Sequence, residues 1–155
     1  MEISIIDFEP KYAADFLRLN VEWLDKYELT EPADISMLEN YQSEILDTGG
    51  AIFLAKAGNE IVGSAALIQE KPGEFELAKM AVTEAWQGKG ISKMLIEKCI
   101  GKAKDLGAVK LFLVSNSKLS TALSLYEKYG FVNVSVVDNH YTNADVRMEL
   151  IMQGS

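Results

Sequence analysis

The alternation of apolar and polar positions divides the chain into short strand-like runs and longer helical stripes. Ile3, Ile5 and Phe8 make a brief two-residue alternation that stops at Pro10, and a proline, with no N–H to leave unpaired, suits the first position of a helix. From Tyr12 to Tyr27, Phe16, Leu17, Leu19, Val21, Trp23 and Leu24 leave only a partly polar face, as in a helix packed on a sheet. Glu31-Pro32-Ala33-Asp34 breaks that helix and starts another. Asp34 is expected to cap a segment bearing Ile35, Leu38, Tyr41, Ile45 and Leu46, which Gly49-Gly50 terminates.

Residues 51–57 and 61–68 are β-rich runs joined by the hairpin signal Gly58-Asn59-Glu60, and Lys71-Pro72-Gly73 turns the chain into a third run, 75–82. The prediction is a three-stranded antiparallel meander. A helix from about Gly90 carries Ile91, Leu95, Ile96, Cys99, Ile100 and Ala103 on one stripe and stops at Gly107. Residues 110–114 then form a strand, parallel to the one before because a crossover helix separates them. A short helix bearing Leu125-Tyr126-Glu127-Lys128 follows, then strands at 132–137 and 146–151 linked by the polar loop 138–143. The order is β-α-α-β-β-β-α-β-α-β-β. It predicts an α/β fold, a mixed, mostly antiparallel sheet of about seven strands with helices on both faces, in a single domain over residues 1–155.

Composition narrows the function classes. At 155 residues the chain can bury a core unaided, and 48% hydrophobic with 25% charged residues is the balance of a globular protein rather than a disordered one. Fifteen basic against twenty-three acidic residues give a net charge of −8. That argues against a nucleic-acid partner, which needs clustered cations, and would steer a cationic amine favourably. The single Cys99 excludes an internal disulfide and any multi-cysteine metal site, which fits the reducing cytoplasm. No basic segment followed by an apolar stretch opens the chain, and no apolar run is long enough to span a bilayer, so neither a leader nor a membrane is expected. His140 is the only histidine, and no metal site can be assembled around it at recognisable spacing.

The most informative segment runs from Met80 to Ser92: a strand, a turn containing Gly88 and Gly90, and the start of an amphipathic helix. Two glycines remove side-chain bulk, so backbone N–H groups from Gln87 to Ser92 can point at one anion at the positive end of the helix. A second segment, Ser115 to Phe131, places Asn116 in a loop before the Leu-Tyr-Glu-Lys helix and Gly130 where that helix stops. The pair, in this order and spacing, resembles the GCN5-related N-acetyltransferases (GNAT), most strongly over residues 52–131. The resemblance implies that Gln87, Gly88, Lys89, Gly90, Ile91 and Ser92 hold the pyrophosphate of acetyl-CoA, and that Asn116 and Tyr126 serve its thiol. Ser92 stands where the family has Gly or Ala, a small residue still, and one that adds a hydroxyl donor. The resemblance also implies that the strands at 75–82 and 110–114 splay apart in a V, leaving backbone groups free to bond an extended pantetheine arm.

Acetyl transfer to an amine needs a donor for the developing oxyanion, an acid for the leaving thiolate and a neutral nucleophile. The family's oxyanion donor is a backbone N–H near the end of the fourth strand, here Met80, Ala81 and Val82. Tyr126 is the candidate acid, against the plainer reading of a core aromatic whose place Leu123, Leu125, Tyr129 and Phe131 could fill. Glu76 is the candidate base, and strict alternation would put it on the face of Met80 and Val82; the plainer reading is a solvated charge or an ion pair with Lys79. Asn116 could equally cap its own loop, and Lys89, Lys93 and Lys118 could meet phosphate oxygens or simply face solvent. Cys99, on the apolar stripe, reads as a small core residue. Acceptor selection is implied for Trp23, Tyr27, the acidic stretch 28–34, Tyr41, and His140 with Tyr141. Aromatics beside carboxylates suit an ammonium, and suit a homodimer interface equally. The expected activity is acetyl-CoA-dependent N-acetyl transfer, by direct attack in a ternary complex, to a primary amine of a small molecule or an amino-acid or peptide-like acceptor. The alternative is a non-catalytic acyl-CoA-binding or sensing module of the same fold. A P-loop nucleotide site fails because no Gly-Lys-Ser/Thr follows the turn.

Overall fold

A computed structural model describes residues 2–135 and 144–152. Strand β1 (Ile3–Asp7) leads through a 3₁₀ turn at Pro10–Tyr12 into helix α1 (Ala13–Lys26), followed by α2 (Pro32–Glu39) and the one-turn helix α3 (Tyr41–Glu44). The meander β2 (Ala51–Ala57), β3 (Glu60–Lys71) and β4 (Glu74–Val82) follows. Helix α4 (Ile91–Asp105), β5 (Lys110–Ser115), α5 (Ser120–Lys128), β6 (Val132–Val134) and β7 (Val146–Ile151) complete the described chain. All seven strands join in one sheet, ordered β1-β2-β3-β4-β5-β7-β6, in which only β4 and β5 pair in parallel. The expected class and element order hold. Among the described residues no helix is long and apolar enough to cross a membrane.

Two apolar cores lie on opposite faces of the sheet. On one, α4 inserts Ile91, Leu95, Ile96, Cys99 and Ala103 against Val62, Leu67, Phe75 and Leu113. On the other, Phe16 and Leu19 of α1 and Leu38 of α2 cover Ile52, Leu54, Ile61 and Ile68. The sheet is therefore buried on both sides at its centre, which is why β3 reads as an almost continuous apolar run rather than an alternating one.

The segment after α1 departs from expectation. One helix from Asp34 to Leu46 was anticipated; instead α2 ends at Glu39, α3 lasts one turn, and a 3₁₀ turn occupies Leu46–Thr48. Asp34 is not the N-cap but the third residue of α2: Glu31 caps the helix, Pro32 takes the first position, and the Asp34 carboxylate accepts the Glu31 N–H at 3.1 Å in a reciprocal capping box. That shift leaves the second Asp34 oxygen free to reach the sheet. The expected sixth strand at 132–137 is seen over Val132–Val134, and the loop 138–143 lies outside the described residues.

Candidate functional site

β4 and β5 pair only at their beginnings, from Glu74 with Lys110 to Glu76 with Phe112. Beyond Glu76 the two strands separate, while β5 continues to Ser115 on its β7 side. The sheet thus opens in a V whose vertex is at Glu76. Along its β3 side β4 remains paired, but Ala66 faces Ala78 and Ser64 faces Ala81, so two steps on β3 match three on β4. This is a β-bulge, and its extra residue includes Lys79, held in the left-handed region at φ 53°. The bulge inverts the strand's phase. Ala78 packs with the α1/α2 core, as does Glu76's cross-strand partner Ile68, whereas Met80 and Val82 pack with the α4 core. The expectation that Glu76 shares a face with Met80 and Val82 is therefore corrected: the inserted residue turns them to opposite sides of the sheet.

The open side of β4 has unspent donors. Thr83 donates its N–H to Val62 O on β3 at 2.9 Å. Alternation back along the strand turns the Ala81 N–H toward β3 too, and the N–H groups of Val82 and Met80 into the V. The chain then makes a 3₁₀ turn at Glu84–Trp86 and enters α4 through Gly88 and Gly90, at φ 77° and 81°. A Cβ at either glycine would meet no atom within 4 Å, so both are required by their backbone conformation and by the open space above them, not by crowding. Gln87 falls outside the cradle of donors: its N–H goes to Glu84 O at 3.2 Å and its side chain to Val82 O at 3.0 Å. From Gly88 to Lys93 only the Lys89 N–H is engaged, closing the turn over Gln87 and Gly88, since the first helical bond runs from Met94 to Gly90 O. Five donors, no acid in the first turn of α4, and Lys93 beside them form an arrangement that could take an anion.

The other arm of the V ends in a fixed loop. Asp145 accepts both the Ser117 N–H and its hydroxyl at 2.8 Å, and these bonds hold the exposed carboxyl below its ordinary range. Asn116 accepts the Lys118 N–H on its side chain at 2.9 Å, so the loop-capping role is present, and Asn116 still lines the cavity between the arms. Tyr126 rises from α5 into the same cavity. It is 8% exposed and packs edge-to-face on Phe131, so it is a core aromatic as well as a wall of the site. Burial, with the neighbouring Cys99, pushes its phenol up to about 12, which keeps it protonated at any working pH. Burial pushes the Cys99 thiol up to about 12 as well, so it offers no thiolate for an acyl-enzyme.

These buried acids give the fold an alkaline limit. In the unfolded chain Cys99 and Tyr126 release their protons at their ordinary 9.0 and 10.0, whereas the native state holds them to about 12. Between those values the unfolded state binds fewer protons, so stability falls as pH rises. Thermal denaturation is expected to be insensitive to these two groups below about pH 8 and to lose a few kcal/mol by about pH 11. The double variant Cys99→Ala/Tyr126→Phe should flatten that alkaline slope; an unchanged slope would assign it to other groups.

The far end of the cavity is walled by α1 and α2. The Trp23 and Tyr27 rings meet at 5.3 Å, tilted 58° to each other, with Lys26 over the Tyr27 ring at 5.6 Å. Below them the Lys79 ammonium meets Asp34 at 3.0 Å, with both side chains under a tenth exposed. Glu76 and Glu31 line the same end. In all, the cavity measures about 750 Å³ and runs without interruption from the Gly88–Gly90 turn, along the V, to Trp23.

A sequence model of the Acetyltransferase (GNAT) family matches residues 15–131. The chain belongs to the GNAT acetyltransferase family. The uncharacterized N-acetyltransferase YvbK of Bacillus subtilis is 32% identical over 111 residues, 70% of this chain and 71% of its own. Other curated relatives are matched over only about half their length. Among solved structures, an acetyltransferase of the GNAT family from Staphylococcus aureus Mu50 superposes with a TM-score of 0.89 at 22% identity, covering 98% of this chain and all of that one. The PaiA N-acetyltransferase of Thermoplasma acidophilum, solved in complex with coenzyme A, superposes at 0.79 with 19% identity, over 98% and 100% of the two chains.

In this acetyltransferase one cavity wall gathers Trp23, Tyr27, Glu76, Met80, Ala81, Val82, Gln87, Gly88, Gly90, Ile91, Ser92, Asn116 and Tyr126. Lys89 is exposed and is not part of that wall. Lys93 and Lys118 do line the cavity; Tyr141 and His140 lie outside the described residues. Sequence reading missed the Asp34–Lys79 pair and the polar pair Asn20 and Ser64 beneath it. A lysine inside the apolar run Phe75–Val82 was the signal available, since a charge is seldom placed there without a buried partner.

Proposed function

We propose that the protein transfers an acetyl group from acetyl-CoA to a primary amine of a small molecule or an amino-acid or peptide-like acceptor, by direct attack in a ternary complex. The observation that supports it best is the continuity of the cavity, which joins an anion cradle to an aromatic and acidic pocket past a row of unpaired strand donors. The donor set fits the cofactor: the N–H groups of Gly88 and of residues 90–93 with Lys93 for the pyrophosphate, and the open edge of β4 for the pantetheine amides. Acetyl-CoA, when bound, supplies the activated acyl group. The Met80 N–H stabilises negative charge growing on the carbonyl oxygen, an effect worth about 3 kcal/mol at comparable donors. Tyr126, neutral and buried, gives its proton to the departing sulfur. Glu76, on the α1/α2 face, accepts the proton of the incoming ammonium, directly or through a water. Trp23 and Tyr27 flank the acceptor's entry. A single buried thiol suits a cytoplasmic enzyme.

Tyr126→Phe tests the chemical half of this reading. With any amine that supports turnover, kcat is expected to fall about 100-fold or more, with calorimetric acetyl-CoA affinity within about twofold, since a phenol serving the leaving group contributes little to ground-state binding. Full activity in the variant would show that water protonates the sulfur instead.

A further inference from the structure

The Met80 N–H and the Lys79 carbonyl belong to one planar trans peptide, so they point in opposite directions and whatever fixes one aims the other. In this chain the Lys79 carbonyl is gripped from β3: the Ser64 hydroxyl donates to it at 2.7 Å. Ser64 is fully buried, and its oxygen in turn accepts from Asn20 Nδ2 at 3.0 Å. Asn20, 3% exposed, donates to Phe16 O of the preceding helical turn at 2.9 Å. A relay of three hydrogen bonds thus runs from α1 through β3 to the bulge in β4. A bulge is where the regular pairing of a ladder is interrupted. The left-handed φ of 53° at Lys79 is a conformation that an unrestrained lysine adopts rarely.

We propose that Ser64 and Asn20 are positioning residues for the reaction: by holding the Lys79 carbonyl toward β3 they aim the Met80 N–H across the V at the carbonyl of the acyl donor. This rests on the acetyl-CoA reading above. The Ser64 hydroxyl acts through the 79–80 peptide alone, and Asn20, which also lines the cavity, acts on that peptide through Ser64. Ser64 lies outside the cavity wall, so its removal leaves the ligand's contacts untouched. The expected signature is specific, because a misaimed donor weakens polarisation of the acyl carbonyl while leaving the CoA moiety held as before.

The test is infrared difference spectroscopy with acetyl-CoA labelled with carbon-13 at its carbonyl, bound to wild type, Ser64→Ala and Asn20→Ala, beside calorimetry with acetyl-CoA and CoA. In the wild type the labelled carbonyl band should lie below its frequency in free acetyl-CoA. In Ser64→Ala it should return most of the way to the free value, with CoA affinity within about twofold and kcat on the best amine down about 10- to 100-fold. Asn20→Ala should move the band in the same direction by less, with CoA affinity again within about twofold although Asn20 lines the cavity, and with that affinity held it decides the matter if Ser64→Ala fails to fold. Loss of thermal stability with an unshifted band and unchanged kcat would make the relay merely structural and overturn the proposal. A wild type that binds no acetyl-CoA would instead sink the cofactor reading, and the proposal with it.

Discussion

Asp34→Ala is expected to lower the unfolding free energy by about 3–5 kcal/mol, the scale of removing one member of a buried ion pair. Asp34 serves two elements at once. One oxygen binds the Lys79 ammonium at 3.0 Å and the other accepts the Glu31 N–H at the start of α2. Removing it takes the carboxylate at 3.0 Å from a lysine whose side chain is 6% exposed and opens the capping box, itself worth about 1 kcal/mol. Equilibrium urea denaturation checks the figure. The comparison is Lys71→Met, which breaks an ion pair with Glu74 whose lysine is 65% exposed and should change stability by less than about 0.5 kcal/mol. Similar losses in the two variants would show that burial does not set the worth of these pairs.

Gly90→Asp should weaken acetyl-CoA binding about 100-fold or more, roughly 3 kcal/mol on the affinity scale. Two causes add. A side chain at φ 81° strains the backbone that presents the donors, and a carboxylate placed in open space over them competes with the phosphates. Gly90→Ala, with the strain but no charge, should fall between. Gly101→Ala is the control: it sits within α4, a Cβ there meets nothing within 4 Å, and its φ is not left-handed. That change should leave affinity intact and raise stability by about 0.5–1 kcal/mol through helix propensity. Calorimetric affinity unchanged in Gly90→Asp would remove the turn from the cofactor site.

What could be read before folding follows a physical line. The meander and the crossover helix were legible because β-rich runs and one helical stripe are separated by glycine or proline, as in Gly58 between β2 and β3, Pro72-Gly73 between β3 and β4, or Gly107 after α4. The Gly88–Gly90 turn was legible because an anion cradle needs left-handed backbone, which glycine alone adopts freely. The bulge was not. One extra residue in Ala78-Lys79-Met80-Ala81 leaves no compositional mark, and an error of one residue reverses every later side chain, which is how Glu76 came to be placed on the wrong face. α2 was misjudged for a related reason: Pro32 and Glu31 together made a better helix start than Asp34, and no sequence period showed that Asp34 would be spent on Lys79, 45 residues on. Ser64 and Asn20 are small polar residues in ordinary places, and only the hydrogen bonds that join them to each other and to the Lys79 carbonyl point to the proposed role.

The central claim is that one cavity performs acetyl transfer from acetyl-CoA to an amine. It is tested most directly by following thiol release from acetyl-CoA across a panel of amino acids, polyamines, aminoglycosides and a lysine peptide, with mass spectrometry of the products and calorimetry on the same preparation. Amine-dependent thiol release with a product heavier by one acetyl group, lost in Gly90→Asp, is the expected result. Absence of acetyl-CoA binding in the wild type would contradict it outright.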